Sequence, residues 1–439
     1  MKTQLMRRAS GLLLGAAIAA ASGSASAYTL VDDNGTELNF DVEAIFGAFY
    51  SEESYAQLRD SEGDVSWQEA YVKFGLSGNR QLGNGSSLFG SVNLLTSASF
   101  GDGDAAGFTT GDESDTELED AFVGWRNELV ELSFGRQNIT MGDGFLLNGD
   151  SLNFGEGFDF IPGAPKIDRG GAYWLAARKA FDKTAMLRIG GEQGLRSDIF
   201  WMESDNAAQS SMELAGLNVE HVGEIGTFGA MYLEGLDVDA EEAAFFGQTH
   251  RDGQQTLSLR YQGNAGVENL FLSGEFVTQD QGDNSRKDGD GWYLEGGWTF
   301  ADMPWTPSVN YRYSSFDEGF DPLFFGFNRG YGTWFQGEVA ANYAGPFNSD
   351  TDVHHLGVKV SPLANLSLGA LYFDFSGNSG DALDGRELDL YAEWVVSDNL
   401  IISPLVGFYN PDRSAADGGV QIGNDDTSLY AQVLAIVLF

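Results

Sequence analysis

The strongest constraint in this sequence is an alternation of apolar and polar residues, with a period of two, that recurs along most of its length. In the first such run Leu38, Phe40, Val42, Ala44, Phe46 and Ala48 share one face, while Asn39, Asp41 and Glu43 share the other. That period belongs to a strand with one apolar and one polar side. It returns in segments 68–76, 88–96, 118–125, 130–137, 172–178, 184–192, 212–219, 228–234, 256–262, 270–278, 292–300, 309–315, 354–360, 366–375, 388–396 and 400–409. The last run, 427–439, places Leu429, Ala431, Val433, Ala435, Val437 and Phe439 on one face and Ser428, Tyr430 and Gln432 on the other. An apolar strand with an unpaired edge invites aggregation, which argues against the end of a soluble sandwich. It is expected instead to pair with segment 38–48 and close a barrel, with Tyr430 and Phe439 as the closing signal.

Residues 1–27 read as a secretory signal. Lys2, Arg7 and Arg8 form a basic start, 11–20 an apolar run, and Ala25-Ser26-Ala27 a small-residue cleavage site. The expected mature domain is a single barrel, 28–439, because no Pro/Ser-rich linker or shift in composition marks a boundary. Beyond the leader no apolar stretch has the length of a spanning helix, so membrane crossing falls to strands. Absence of cysteine excludes disulfides and thiolate sites. The formal charge is −41, and removing the three basic residues of the leader takes it to −44, which argues against nucleic-acid binding. Acidic runs such as 101–104, 112–115 and 237–242 read as solvated loops; bridging by divalent cations to anionic headgroups is the sharper alternative.

Connector lengths give an independent reading, since outer-membrane barrels alternate short periplasmic turns with longer outer loops. Segments 126–129, 181–183, 361–365 and 397–399 are short; 138–171, 237–254, 317–351 and 410–426 are long. The expected fold is all-β: a transmembrane antiparallel barrel of about 18 strands (16–20) with long outer loops. Segment 334–343 is read as a short loop helix, because Phe335, Val339 and Tyr343 repeat at helical spacing. Residues 196–204 are ambiguous between a strand extension and a loop. Trp67, Trp125, Trp292, Trp298 and Trp394 fall near strand ends, where interfacial girdles are expected.

Chemistry of the catalytic kind finds little support. The four histidines include His354 and His355, which point to opposite faces of a strand and cannot share a metal. Neither HExxH, GxSxG nor a P-loop is present. No enzyme activity, cofactor or metal is expected. If apolar faces meet lipid, the opposite faces line a lumen. Lys73, Arg188, Arg260, Arg312 and Lys359 then point inward beside Asp41, Glu43, Glu69, Asp120, Glu275, Glu295, Asp389 and Glu393. Loops 138–171 and 317–351 are the candidates to fold inward and set a constriction. The first carries Asp143, Asp150, Glu156, Asp159, Lys166, Asp168 and Arg169; the second carries Asp317, Asp321 and Arg329 with the aromatics Phe324, Phe325, Phe327, Tyr331 and Trp334.

Several motifs carry a resemblance. Asp120-Ala-Phe-Val-Gly-Trp-Arg126 and Leu132-Ser-Phe-Gly-Arg-Gln137 resemble the hairpin before the long third loop of bacterial porins. The runs 324–338 and 347–349, with Leu371-Tyr-Phe-Asp-Phe375 and Glu387-Leu-Asp-Leu-Tyr-Ala-Glu-Trp394, resemble outer-membrane channels of the alginate-export type. That family's fold is an eighteen-stranded monomeric barrel passing an anionic polysaccharide through an arginine-bearing lumen. The resemblance implies Arg136, Arg188, Arg260, Arg312 and Arg329 as lumen arginines. Arg136 shares parity with apolar Leu132 and Phe134 and is expected at the rim. The expected function is an outer-membrane channel for passive transport of an anionic or sugar polymer or oligomer. A general or sugar-selective diffusion porin and a non-conducting surface adhesin or structural barrel are the alternatives. The expected partners are outer-membrane lipid and lipopolysaccharide, the barrel-assembly machinery and a small-molecule or polysaccharide solute, in the cell outer membrane of a Gram-negative bacterium.

Overall fold

The computed structural model describes residues 28–54, 64–326, 336–340, 348–421 and 423–438. Its strands in chain order are β1 (Tyr28–Asp33), β2 (Thr36–Ser51), β3 (Val65–Gln81), β4 (Ser87–Gly101), β5 (Ser114–Arg126), β6 (Val130–Gln137), β7 (Phe181–Ile189), β8 (Gly194–Glu203), β9 (Glu213–Gly223) and β10 (Gly226–Asp237). They continue as β11 (Gln255–Gly263), β12 (Leu270–Asp280), β13 (Gly289–Thr299), β14 (Ser308–Phe316), β15 (Thr351–Leu363), β16 (Leu366–Gly377), β17 (Gly385–Ser397), β18 (Leu400–Pro411) and β19 (Ser428–Leu438). From β2 to β19 each strand pairs antiparallel with its neighbour in sequence, and β19 pairs back onto β2 from Leu438↔Glu43 to Tyr430↔Ser51. The ring of 18 strands is thus closed. Strand β1 lies against the start of β2, from Tyr28↔Phe40 to Asp33↔Thr36, and so continues the line of β19 beyond the end of the seam.

Closure follows from the sequence pattern. Backbone N–H and C=O groups facing hydrocarbon have no water to bond, so only a ring without edges satisfies all of them. The outward faces carry the apolar residues the alternation assigns to lipid: Phe46, Val72, Leu76, Val92, Val123, Leu294 and Val433 are all exposed. No helix among the described residues is long and apolar enough to cross a membrane. Trp298 and Trp394 are exposed on the outside, as a girdle requires, whereas Trp67 is 1% exposed and points into the barrel. At one end the strands join through short turns, including 127–129, 224–225, 364–365 and 398–399; at the other lie the long loops, of which 138–180 and 317–350 are the largest.

Some expectations are corrected. Segment 172–178 is not a strand. It is the return limb of loop 138–180, with Ala172 and Ala176 at positive φ (52° and 47°) and Ala172, Tyr173, Ala176 and Ala177 buried against the inner wall. Residues 181–183 open β7 instead of forming a turn. Segment 196–204 falls almost wholly in β8, a strand of its own, paired with β9 over ten positions. One strand lost and one gained leave the number at 18. Half of the helix expected near 334–343 lies outside the described residues, and 336–339 within it are bends; Arg329 and Phe439 also lie outside the described residues. A short helix, α1 (Ala240–Phe246), sits in loop 238–254, where Asp239 caps its first turn by accepting from the backbone N–H of Glu241 and Glu242.

The interior is not uniformly wet. Loop 138–180 and the described residues of 317–350 fold inward and pack two apolar clusters against the outer half of the wall. One gathers Phe49, Trp67, Phe154, Tyr173, Phe375, Tyr409 and Tyr430. The other gathers Phe145, Leu147, Phe181, Phe200, Met202, Phe320 and Phe324. The return limb crosses the seam itself. Trp174 donates from its indole Nε1 to Gln432 on β19 (2.8 Å), and the backbone N–H groups of Trp174 and Leu175 donate to Glu69 on β3 (3.2 and 2.9 Å). Phe49 and Trp67 stack at 4.9 Å, and Trp174 lies 5.8 Å from Tyr430. Tyr430 therefore faces inward, bound into this strap. Trp174→Ala removes the strap's anchor and is expected to cost about 3 kcal/mol. The check is a lower temperature for conversion of the compact SDS-gel band to the unfolded one.

Candidate constriction and pore lining

Charged side chains on the inner face pair across the strands into a belt below the loop clusters. Arg188 on β7 meets Asp198 on β8 (2.7 Å) and Glu131 on β6 (3.4 Å). Arg196 on β8 pairs with Glu220 on β9. Arg260 on β11 reaches over β10 to the same Glu220 (2.5 Å) and to Asn218. Gly229 makes this reach possible, since a Cβ there would lie 2.7 Å from the Arg260 guanidinium carbon. Glu275 faces Arg260 from β12 and accepts from Ser258 (2.6 Å). Around the far side Arg312 lies 3.9 Å from Glu295, and Lys359 pairs with Glu393 across Gly369 (2.5 Å). Lys73 stands opposite Glu43 and near Asp120, which accepts from Asn93 (3.0 Å). Charges of both signs kept from bulk water are tolerable only when paired, and the belt meets that demand.

Above the belt the two long loops meet. Leu147 and Phe324 form a parallel β-bridge within the barrel, supported by Asn148 N–H to Phe324 O (2.7 Å) and Gly326 N–H to Gly144 O (2.6 Å). Gly144 sits at φ 80°, and a Cβ on it would press against the Gly326 carbonyl at 2.2 Å, so the close approach demands glycine. The tip of loop 138–180 is fastened to the wall by Asp143, which accepts from Gln262 (2.5 Å), Ser273 (2.7 Å) and Tyr293. Beneath the tip Arg188, Arg196, Arg260, Asp198, Glu220 and Tyr261 line a cavity of about 320 Å³.

A second set of cations converges beside the same loop. Arg136, Arg169 and Arg178 all reach Asp205, at 2.8, 3.1 and 3.4 Å. Arg136 also meets Asp182 (2.9 Å), and Arg169 meets buried Asp150 (3.3 Å). The three arginines are more than nine-tenths buried, while Asp205 remains one-third exposed. Nε and Nη2 of Arg136 and the Nε of both others have no hydrogen-bond partner among the described residues. Burial opposes ionisation of Asp205, but Arg169, Arg136 and Arg178 outweigh it and hold its carboxyl below the usual range. Burial lowers the Arg178 guanidinium, with Arg169 beside it adding to the effect.

Lys73, Arg188, Arg260, Arg312, Lys359, Asp120, Glu275 and Glu295 thus all face the interior. Arg136 is a correction: its parity with Leu132 and Phe134 assigns it to the rim, yet it is 7% exposed and inward. Gly135, at φ 126°, and a register shift between Gly135 and Gln137 turn the strand so that its side chain points inside. Asp389 faces inward but is fully buried near Val339, both fitting into space left by Gly407. Arg196, Glu220, Arg178 and Asp205 escape sequence reading. Arg196 and Glu220 have the right parity once β8 is seen as a strand; Arg178 and Asp205 meet only through the loop fold.

A closed ring of 18 strands with an apolar outer belt, a charged inner wall and inward loops defines a transmembrane β-barrel of the Gram-negative outer membrane. No protein-family model matches the chain, and no curated protein matches it in sequence. Solved structures match it in fold. A BenF-like porin from Pseudomonas fluorescens Pf-5 has a TM-score of 0.58 at 11% identity, with 91% of this chain and 98% of that one covered. For OccAB2 of Acinetobacter baumannii the TM-score is 0.56 at 12% identity, covering 91% and 98%. The outer-membrane protein OprD from Pseudomonas aeruginosa gives 0.55 at 11% identity, covering 95% and 97%. At such identities the likeness establishes the fold.

The lowered carboxyl of Asp205 sets a sign for pH. Its contribution to holding the arginine cluster is complete above the unfolded value of about 3.9 and is lost as pH falls through the lower folded value. Asp205→Asn removes that contribution at every pH. Melting of the wild type minus melting of Asp205→Asn is therefore expected to stay constant from pH 8 to pH 5 and to shrink only in stronger acid.

Proposed function

We propose that this chain is a substrate-selective diffusion channel for small solutes, with a preference for those bearing an anionic group. The observation that carries the reading is the Leu147–Phe324 bridge, which brings two inward loops together across a barrel wide enough to hold a pore without them. A constriction built this way admits small solutes and excludes polymers. Preference for an anionic group rests on the arginine donors left unfilled beside Asp205, since guanidinium forks match carboxylate oxygens. The similar proteins named above include a BenF-like porin and the outer-membrane protein OprD, which favours the diffusion-porin reading over alginate export.

Two features weigh against a polymer path. Arg188 and Arg260, which the alginate-export resemblance assigns to the polymer, are taken up by wall carboxylates. Apolar loop packing also fills much of the outer half of the interior. Export through a leader at 1–27 and insertion by the barrel-assembly machinery belong to the same proposal.

Purified protein in a planar bilayer under a tenfold KCl gradient tests the reading. Stepwise conductance is expected from the wild type. The double variant Arg169→Ala/Arg178→Ala is expected to move the reversal potential toward cation preference. Absence of current steps from folded wild-type barrels would sink the channel reading in favour of a non-conducting barrel. An unmoved reversal potential would remove the arginine cluster from the filter.

A further inference from the structure

One polar cluster stands apart from both the belt and the arginines around Asp205. Asp321, at the start of loop 317–350, is 2% exposed. Its carboxylate accepts a forked pair from Arg251, Nε to Oδ2 at 2.8 Å and Nη2 to Oδ1 at 2.9 Å, and faces His250 Nε2 at 2.9 Å. Arg251 also donates to Gln209 in loop 204–212 (2.7 Å). A single buried carboxylate therefore joins three outer loops: 204–212, 238–254 and 317–350.

The backbone around Asp321 is held just as closely. Gln279 at the top of β12 accepts from the Asp321 N–H (2.7 Å) and donates to its C=O (2.8 Å). Oδ1 of Asp321 accepts from the Leu323 N–H (3.0 Å), bending the chain back over itself, and Leu323 sits at φ 54°. Gln281 and Arg286 fasten the preceding Gly319 carbonyl at 2.9 and 3.0 Å. Three residues after Asp321 the chain reaches Phe324 and its bridge to Leu147. The direction in which Leu323 and Phe324 leave the wall is thus set at Asp321. Burial opposes its ionisation, yet Arg251 and His250 outweigh it and hold the carboxyl well below the usual range.

From this geometry we infer that Asp321 is the clamp of the constriction: it fixes the segment 321–326 that meets loop 138–180, while lying outside the solute path. It is a positioning residue, and the inference deepens the channel reading on which its electrical consequence rests. Asp321→Asn keeps the size of the side chain but loses the charge that draws the Arg251 fork. Arg251→Gln strikes the same contact from the other loop. Both variants leave the wall pairings and the seam intact, so the compact gel band is expected to persist.

Two readouts separate the clamp from the channel reading. In hydrogen–deuterium exchange, amides of 323–326 and 144–149 are expected to exchange about tenfold faster in either variant, with barrel strands unchanged. In a planar bilayer, the open-channel current of either variant is expected to be about threefold noisier than wild type, as a segment freed on the microsecond-to-second scale would make it. Because the chain has no cysteine, Leu147→Cys/Phe324→Cys on the Asp321→Asn background gives one defined cross-link, and its oxidation is expected to restore the quiet current. Unchanged exchange together with unchanged noise in a conducting protein overturns the clamp. Noise that survives oxidation of the cysteine pair also overturns it. A silent wild type whose variants still exchange faster supports the clamp and overturns the channel reading.

Discussion

Backbone hydrogen bonding without water is the condition on which the rest of this molecule depends. In hydrocarbon each unpaired amide or carbonyl costs several kcal/mol, so the chain must join its last strand to its first. The seam between β19 and β2 supplies that joint through nine paired positions, Leu438↔Glu43 to Tyr430↔Ser51. What is less usual is how the joint is reinforced. Loop 138–180 returns along the inner wall and ties β3 to β19 through Glu69, Trp174 and Gln432. The loop that narrows the interior also braces the seam.

Closing the ring makes the inside a separate solvent problem. Charges there are expensive unless paired, and the belt from Glu131 to Glu275 pairs them across neighbouring strands and, for Arg260 and Glu220, over one intervening strand. Higher up, the wall residues turn apolar and meet apolar loop residues, so the loops are held by burial as well as by hydrogen bonds. Between these regimes the arginines around Asp205 leave four nitrogens without a hydrogen-bond partner among the described residues, Nε and Nη2 of Arg136 and the Nε of Arg169 and Arg178. Arg188, Arg196 and Arg260 on the wall are engaged by wall carboxylates, whereas two of the arginines around Asp205, Arg169 and Arg178, come from loop 138–180.

Much of the barrel was legible because lipid enforces a period of two. Runs such as Leu38–Ala48 and Leu429–Val437 cannot hide it, and so the seam follows directly from the sequence, while the strand number agrees because the false strand at 172–178 offsets the missed β8. Failures occurred where the inside is not polar. In β8, Phe200 and Met202 face inward but meet the apolar loop cluster, so Ile199-Phe200-Trp201-Met202 shows no alternation at all. Segment 172–178 has the apolar content of a strand, but it is a loop limb pressed onto the wall that buries adjacent residues, Ala172-Tyr173 and Ala176-Ala177, without strand pairing. Arg136 was misassigned for a local reason, the bulge at Gly135, which a parity count cannot see. Arg188, Arg260 and Arg312 follow from strand parity, but Arg196 does not until β8 is recognised; Asp321 stands among the loop residues the sequence singles out, yet its pairing with Arg251, like that of Arg178 with Asp205, joins different loops and leaves no local signal.

The central claim is that loops meeting inside the barrel restrict passage to small solutes. Swelling of liposomes carrying the wild-type protein, measured against uncharged sugars and uronic acid oligomers of increasing length, tests it most directly. Rapid swelling with monosaccharides and single uronic acids, falling away by the trisaccharide, is the expected result. Entry of long alginate oligomers at rates near those of the monomers would contradict it.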